Sequence, residues 1–305
     1  MTASVAPVSG FSIVRNAIQF GYPVAESLRS LAPLVDELIV AVGRSEDGTL
    51  DLVRSLDIPH LRVVETVWDQ SLRVGGRVLA QQTNLALSHC TGDWAFYLQA
   101  DEVVHEDDHA RIIETMARYL PDRRILALTF RYLHFFGDYH SVNPWGYHGE
   151  IRVIRNNGRL ESAGDASGFR CTGNGLRPGN PRKQQRRDSG GTIYHYGYVK
   201  DSTVMLSKLQ AQVARYYGGH PPESREALES FYIQGLTPGE QTGLFQLERF
   251  PYDLFYDSMK EFHGTHPRVM STRVGRTPRL RPRYNRWFNW RFYREIIRHG
   301  FRLRG

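Results

Sequence analysis

Two cysteines, Cys90 and Cys171, are all that the 305 residues contain. In unrelated contexts they form neither a disulfide framework nor a thiolate metal cage, so a reducing, cytoplasmic setting is expected. No apolar run approaches the ~20 residues that a membrane-spanning helix needs. The first ten residues have no basic region and no long apolar core, so a secretory leader is not expected. Internal repeats and long low-complexity segments are also missing. Lysine is absent from residues 271–305, which instead hold 11 arginines against a single acidic residue, Glu295. That tail carries +10 in a chain whose total is +7, which leaves −3 for residues 1–270. The basicity therefore belongs to the tail and the body is mildly acidic.

What is present is an alternation of short apolar runs with amphipathic stretches. Phe11–Val14, Glu37–Val42, Leu61–Val67 and Trp94–Leu98 have strand length and composition. Between them lie helical patterns: Leu28, Leu31 and Leu34; Leu52, Val53 and Leu56; Val78, Leu79, Leu85 and Ala86. This order predicts βαβ units and an α/β fold with a mostly parallel sheet flanked by helices. Ala110–Leu120 reads as a further helix, and strands are expected near Leu126–Phe130, Ile151–Ile154 and Thr192–Tyr196. The Gly-, Pro- and Arg-rich stretch from Gly173 to Gly191 reads as a loop. One α/β domain is expected over residues 1–200, and a helical, basic C-terminal extension over 201–305.

The stretch that organises this pattern is Trp94–Leu98, which ends abruptly in Gln99, Asp101 and Glu102. Open α/β sheets bind ligands outside the carboxyl ends of their strands. Carboxylate oxygens there suit a hard divalent cation such as Mn²⁺ or Mg²⁺. The alternative is a polar turn that happens to be acidic.

Four motifs in order resemble the family 2 glycosyltransferases, whose GT-A fold is Rossmann-like and binds a nucleotide-diphospho-sugar. Val14-Arg15-Asn16 resembles the end of the family's first strand. Ser45-Glu46-Asp47-Gly48-Thr49 resembles its Ser-Thr-Asp-Gly-Thr turn. Asn84-Leu85-Ala86-Leu87 resembles its Asn-x-Ala/Gly-Leu segment. Gly92-Asp93-Trp94 through Leu98-Gln99-Ala100-Asp101-Glu102 resembles its Asp-x-Asp segment. The resemblance implies that Arg15, Asn16, Asp47, Asn84, Gln99 and Asp101 bind the nucleotide sugar. It also implies a divalent cation on Asp101 and His195, the latter in Tyr194-His195-Tyr196-Gly197-Tyr198. The chain departs from the pattern twice. Gln99 stands where the first Asp is usual, and Val42-Gly43 replaces an acidic pair.

An inverting transferase needs a base for the acceptor hydroxyl. Glu150 and Asp165 qualify by position, while Glu102 could instead stand behind the cation's ligands or contact the acceptor. Plainer roles stand beside these. His195 could be a hydrogen-bonded histidine among aromatics, Glu150 an ion-pair partner of Arg152 or Arg155, and Asp165 a turn residue. In residues 283–305, arginines interleave with Trp287, Phe288, Trp290 and Phe292. That pattern suits contact with an anionic membrane surface at the inner face, or a helix packed on the domain; nucleic acid is the weakest reading. The function implied is sugar transfer to a cell-surface glycan or lipid-linked acceptor. The rival is a degenerate, non-catalytic GT-A binding protein tethered by its tail. A nucleotidyltransferase is disfavoured, because no Gly-rich, Arg-containing phosphate loop follows the first strand.

Overall fold

The computed structural model describes residues 7–72, 74–173, 179–217 and 259–276. Its sheet grows from β1 (Val8–Val14), every residue of which is buried. β1 lies parallel to β2 (Glu37–Gly43) on one side and to β4 (Trp94–Tyr97) on the other, and β3 (Leu61–Thr66) extends the edge beyond β2. The connections are α1 (Val24–Leu31), α2 (Thr49–Arg54) and α3 (Arg77–Ser88). Alternation along β4 divides the core. Trp94 and Phe96 face the side covered by α1 residues Leu28 and Leu31, while Ala95 and Tyr97 face Ala86 of α3. The spatial order β3-β2-β1-β4 reverses at β1, which opens a crevice at the carboxyl ends of β1 and β4.

Beyond β4 the sheet becomes mixed. β5 (Glu102–Val104) and α4 (His109–Tyr119) precede β6 (Ala127–Phe136), β7 (Ser141–Asn143) and β8 (Gly149–Arg155). β8 runs antiparallel to both β4 and β6, and β7 runs antiparallel to β6. The loops joining β6, β7 and β8 are too short for parallel crossovers, so these strands turn back antiparallel. β9 (Leu160–Ser162) and β10 (Phe169–Cys171) form a separate hairpin. The Gly173–Gly191 stretch is not all loop. From Arg186 it belongs to β11 (Arg186–Tyr198), which pairs parallel with β6 and antiparallel with β5 and absorbs a bulge between Asp188 and Thr192.

The C-terminal region returns to the domain. α5 (Ser202–Tyr217) follows β11, and β12 (Lys260–Glu261) pairs with β7. Phe262, His266 and Met270 then pack among Phe135, Tyr139 and Tyr196. The His266 Nε2–H donates to the Tyr139 carbonyl at 2.8 Å, which leaves Nδ1 to accept from the Tyr196 hydroxyl at 2.8 Å. The last helix, α6 (Ser271–Arg276), is tied down by Arg273, whose Nε donates to Glu26 of α1. No helix of the described residues is long and apolar enough to cross a membrane. Residues 283–305 lie outside the described residues.

A buried ion pair holds the turn after β4. Glu102 and Arg152 of β8 are both fully buried. Arg152 Nη2 donates to Oε1 at 2.7 Å and its Nε to Oε2 at 2.8 Å. The Tyr132 hydroxyl takes the remaining site on Oε1, and the Gln99 N–H the remaining site on Oε2. The Arg152 guanidinium also sits between the rings of Tyr97 and Tyr132, at 5.4 and 5.3 Å. Replacing Arg152 with Met leaves a buried carboxylate uncompensated and should cost about 3–5 kcal/mol. Urea unfolding reads this directly, and wild-type stability in the single variant would contradict it.

Candidate active site

Asp101 emerges at the carboxyl end of β4 and meets β11. The Tyr196 N–H donates to the Asp101 carbonyl at 2.8 Å, which brings the Asp101 side chain under His195. Asp101 Oδ2 lies 3.7 Å from His195 Nε2 and 3.5 Å from Lys208 Nζ. Burial alone would raise the Asp101 carboxyl, but His195, Lys208 and Lys200 outweigh it and hold it well below the usual carboxylate range.

A second histidine settles how the His195 ring presents itself. His134 of β6 lies in register beside His195. Its Nε2 is 2.9 Å from the Tyr147 carbonyl, which can only accept, so Nε2 carries the proton. Burial, with His195 next in weight, pushes His134 down to about 3, so the ring is neutral and its Nδ1 is an acceptor. His195 Nδ1, 3.2 Å away, therefore donates to it. His195 Nε2 is then the ring nitrogen that faces the Asp101 carboxylate: as a donor in the imidazolium, or as a lone pair in the neutral ring. In the neutral ring, the two acceptors would hold a cation between them. A cation-binding imidazole whose other N–H is fixed by a hydrogen bond is the usual arrangement.

The space between the two donors depends on a glycine. A Cβ built on Gly197 would lie 2.5 Å from Asp101 Oδ2 and 2.7 Å from His195 Nε2. Among the described residues no group of three or more His, Cys, Asp or Glu side chains closes a metal cage. The pair thus fits an open site, in which a divalent cation takes its other ligands from phosphate oxygens and water.

At the end of β1, Arg15 donates to the Arg44 carbonyl at 3.1 Å and its guanidinium lies 5.5 Å from the centre of the Trp68 ring. A Cβ at residue 43 would collide with that indole, which gives Gly43 a packing reason in place of the family's acidic pair. Asn16 adopts a left-handed conformation (φ 52°), and its buried Oδ1 has no partner among the described residues. Both therefore stand at the mouth of the β1/β4 crevice.

Three other expected ligands are engaged elsewhere. Asp47 accepts from the backbone of Gln19 at 2.7 Å and of Thr49 at 3.1 Å, so it staples the turn to the loop after β1. Asn84 spends both ends of its amide on Ser162, pairing α3 with β9 in the manner of a strand. Gln99 donates from Nε2 to the Ala166 carbonyl at 3.1 Å. An Asp could not make that bond, which explains the departure from Asp-x-Asp. Asn84 and the Gln99 amide nitrogen are corrected to structural roles.

The three candidate carboxylates separate. Glu102 is corrected: with four donors on its two oxygens it has no lone pair left for an acceptor hydroxyl. Asp165 accepts from the Ser167 N–H at 3.1 Å and so holds its turn. Glu150, at the start of β8, is half-buried, and Arg152 pairs with Glu102 instead of with it. Burial raises the Glu150 carboxyl above 4.5, with Glu102 and Asp165 adding to the effect.

The model of the family described as glycosyl transferase family 2 matches residues 13–174, just over half of the chain. The chain belongs to glycosyl transferase family 2. The expected α/β fold class is borne out by the sheet described above, and the resemblance to the family by that match. No curated protein matches the chain. Solved structures similar to it include S. aureus TarS in complex with UDP, at 18% identity and TM-score 0.33, covering 46% of this chain and 38% of that one. Another is the mannosyltransferase PcManGT from Pyrobaculum calidifontis with GDP-Man and Mn²⁺, at 21% identity and TM-score 0.33, covering 43% and 36%. A third is glucosyl-3-phosphoglycerate synthase from Mycobacterium tuberculosis with Mn²⁺ and UDP-glucose, at 17% and 0.29, covering 42% and 44%. The chain spans less than half the length of each of those chains.

Sequence reading of the transferase missed His134, Gly197 as a spacer, and the two lysines beside Asp101. The one available signal was period-two alternation, which places Tyr132 and His134 on the same face of β6. Gly197→Ala tests the gap without touching a donor atom. It should weaken Mn²⁺ binding roughly tenfold or more, read by electron paramagnetic resonance of free Mn²⁺. Wild-type affinity in a folded variant would show that no cation sits between Asp101 and His195.

Proposed function

We propose that this family 2 transferase moves a sugar from a nucleoside-diphosphate donor to a hydroxyl of a glycan or lipid-linked acceptor, with inversion. The observation that carries the reading is the placement of His195 Nε2 against Asp101 across a glycine-kept gap. Arg15 and Asn16 border the nucleotide crevice. Asp101 and His195 would hold a divalent cation, Mn²⁺ or Mg²⁺, which supplies charge neutralisation to the leaving diphosphate. Glu150 takes the acceptor's proton. The acceptor oxygen forms the new bond to the anomeric carbon, and the bond to the diphosphate breaks with its electron pair leaving on the phosphate oxygen. Gln99 no longer counts for the rival, degenerate binding protein, because its amide fastens the Ala166 loop and is not a lost ligand.

Incubating the full chain with UDP- and GDP-sugars, Mn²⁺ or Mg²⁺ and glycan acceptors should release nucleoside diphosphate, and no release across the panel would overturn the reading. Because burial raises Glu150 and a base acts ionised, kcat/KM should climb with pH along a limb lying above 4.5. Glu150→Gln should lower kcat by roughly 10²–10⁴ and remove that limb. A persistent limb in the variant would assign the proton to another group.

The same proposal places the protein in the cytoplasm with its tail on an anionic membrane face. The support is the charge division, +10 in residues 271–305 against −3 elsewhere, at about 1 kcal/mol per basic residue near an anionic leaflet. Deleting residues 283–305 should abolish salt-sensitive co-sedimentation with anionic vesicles. Equal sedimentation with neutral vesicles would contradict it.

A further inference from the structure

The loop between β9 and β10, residues 163–168, is fastened to the acidic turn after β4. Gln99 Nε2 donates to the Ala166 carbonyl at 3.1 Å, and Arg152 Nη1 donates to the Ser167 carbonyl at 2.8 Å. Ala166 between these bonds is buried and adopts a left-handed conformation, with φ at 61°. A residue with a Cβ stays in that region only when its surroundings hold it there. The shape of the loop is therefore imposed by its neighbours, and the Gln99 amide is one of them.

The far end of the loop meets Glu150. A Cβ built on Gly168 would lie 2.7 Å from Glu150 Oε2 and 3.7 Å from its carboxyl carbon, so the loop backbone is a wall against which that carboxylate rests. Among the described residues the charged groups that act on Glu150 are Arg152 of its own strand, Glu102 of β5 and Asp165 of this same loop. The loop thus sets the position of the carboxylate and part of the field around it. Gln99 stands two residues before Asp101, so one turn both fastens the loop at Glu150 and delivers the carboxylate of the cation site.

We infer that Gln99 is a positioning residue for the proton-accepting carboxylate, because its amide closes the 163–168 loop on Glu150. The inference rests on Glu150 as the base of the proposed reaction and deepens that reading. A base must stand within hydrogen-bond reach of the hydroxyl it serves, and a displacement of about 1 Å can cost 10²-fold in rate. An Asp at position 99 has neither the length nor the donor to hold the Ala166 carbonyl. The departure from Asp-x-Asp exchanges a carboxylate for control over the base.

The test compares full-length wild type with Gln99→Met, Gly168→Ala, the double variant and Glu150→Gln, each checked for folding by its melting curve. One readout is release of nucleoside diphosphate from UDP- and GDP-sugars with glycan acceptors in Mn²⁺. The other is titration of the Glu150 carboxyl by carbon-13 NMR in the ligand-free protein, assigned by its loss in Glu150→Gln. Gln99→Met should lower kcat roughly 10²-fold and leave the donor KM little changed. Burial raises the Glu150 carboxyl above 4.5, and opening the loop should bring it back toward that value. Gly168→Ala should lower kcat by displacing the same carboxylate. The double variant should lose little beyond Gln99→Met, since a released loop no longer presses a methyl on Glu150. A merely structural Gln99 would lower the melting temperature and leave kcat and the titration unchanged, which overturns the inference. A raised donor KM with unchanged kcat would also overturn it, by returning Gln99 to the nucleotide. Wild-type kcat and titration in a folded Gly168→Ala would overturn it whether or not Gln99→Met folds. Wild-type kcat in Glu150→Gln, or no release by wild type across the panel, takes down the proposed reaction and the inference with it. A loss in Glu150→Gln beside wild-type behaviour in Gln99→Met overturns the inference alone.

Discussion

The site depends on the pairing of Glu102 with Arg152. The turn after β4 must carry Asp101 outward and still return the chain to the interior as β5, and this reversal is held by one fully buried ion pair. A buried pair gains little over an apolar core of the same shape. Its value here is geometric. Four donors converge on one carboxylate from β4, β6 and β8, so the turn has one register relative to all three strands. Arg152 extends the same network to the Ser167 carbonyl, and Gln99 extends it to Ala166. The loop that borders Glu150 is thus fixed to the strand that delivers Asp101.

On this platform a chain of hydrogen bonds sets the chemistry of one imidazole. The Tyr147 carbonyl orients His134, His134 orients His195, and the other ring nitrogen of His195 is turned toward Asp101. The first two links follow from the donor and acceptor inventory of the partners. An imidazole held this way would need little further ordering to bind a cation. Gly197 completes the arrangement by leaving the space between the two donors open.

Much of the fold was legible in the sequence because the first hundred residues are locally consistent. Val8–Val14, Glu37–Gly43 and Trp94–Tyr97 are buried on both faces and read as apolar runs. The mixed half was harder, since β7, β9, β10 and β12 are two or three residues long and carry almost no periodicity. Motif order singled out Asp101, the resemblance to the family suggested His195 beside it, and the fold brings the two side chains to 3.7 Å. Glu102 was misread because composition cannot distinguish a carboxylate with four donors from one with none. Asn84 was misread for a related reason: an amide bonded to backbone looks, in sequence, like one that awaits a ligand. Lys208 was invisible, since nothing local to α5 announces a contact more than a hundred residues back.

The account holds that Asp101 and His195 form a cation-dependent diphosphate site. The direct measurement is calorimetric titration of UDP and GDP into wild type and into Asp101→Asn, each with Mn²⁺ and with a chelator. The account predicts that wild type binds a diphosphate in Mn²⁺, loses most of that affinity in chelator, and that Asp101→Asn shows no gain from Mn²⁺. An unchanged Mn²⁺-dependent affinity in a folded Asp101→Asn protein would contradict it.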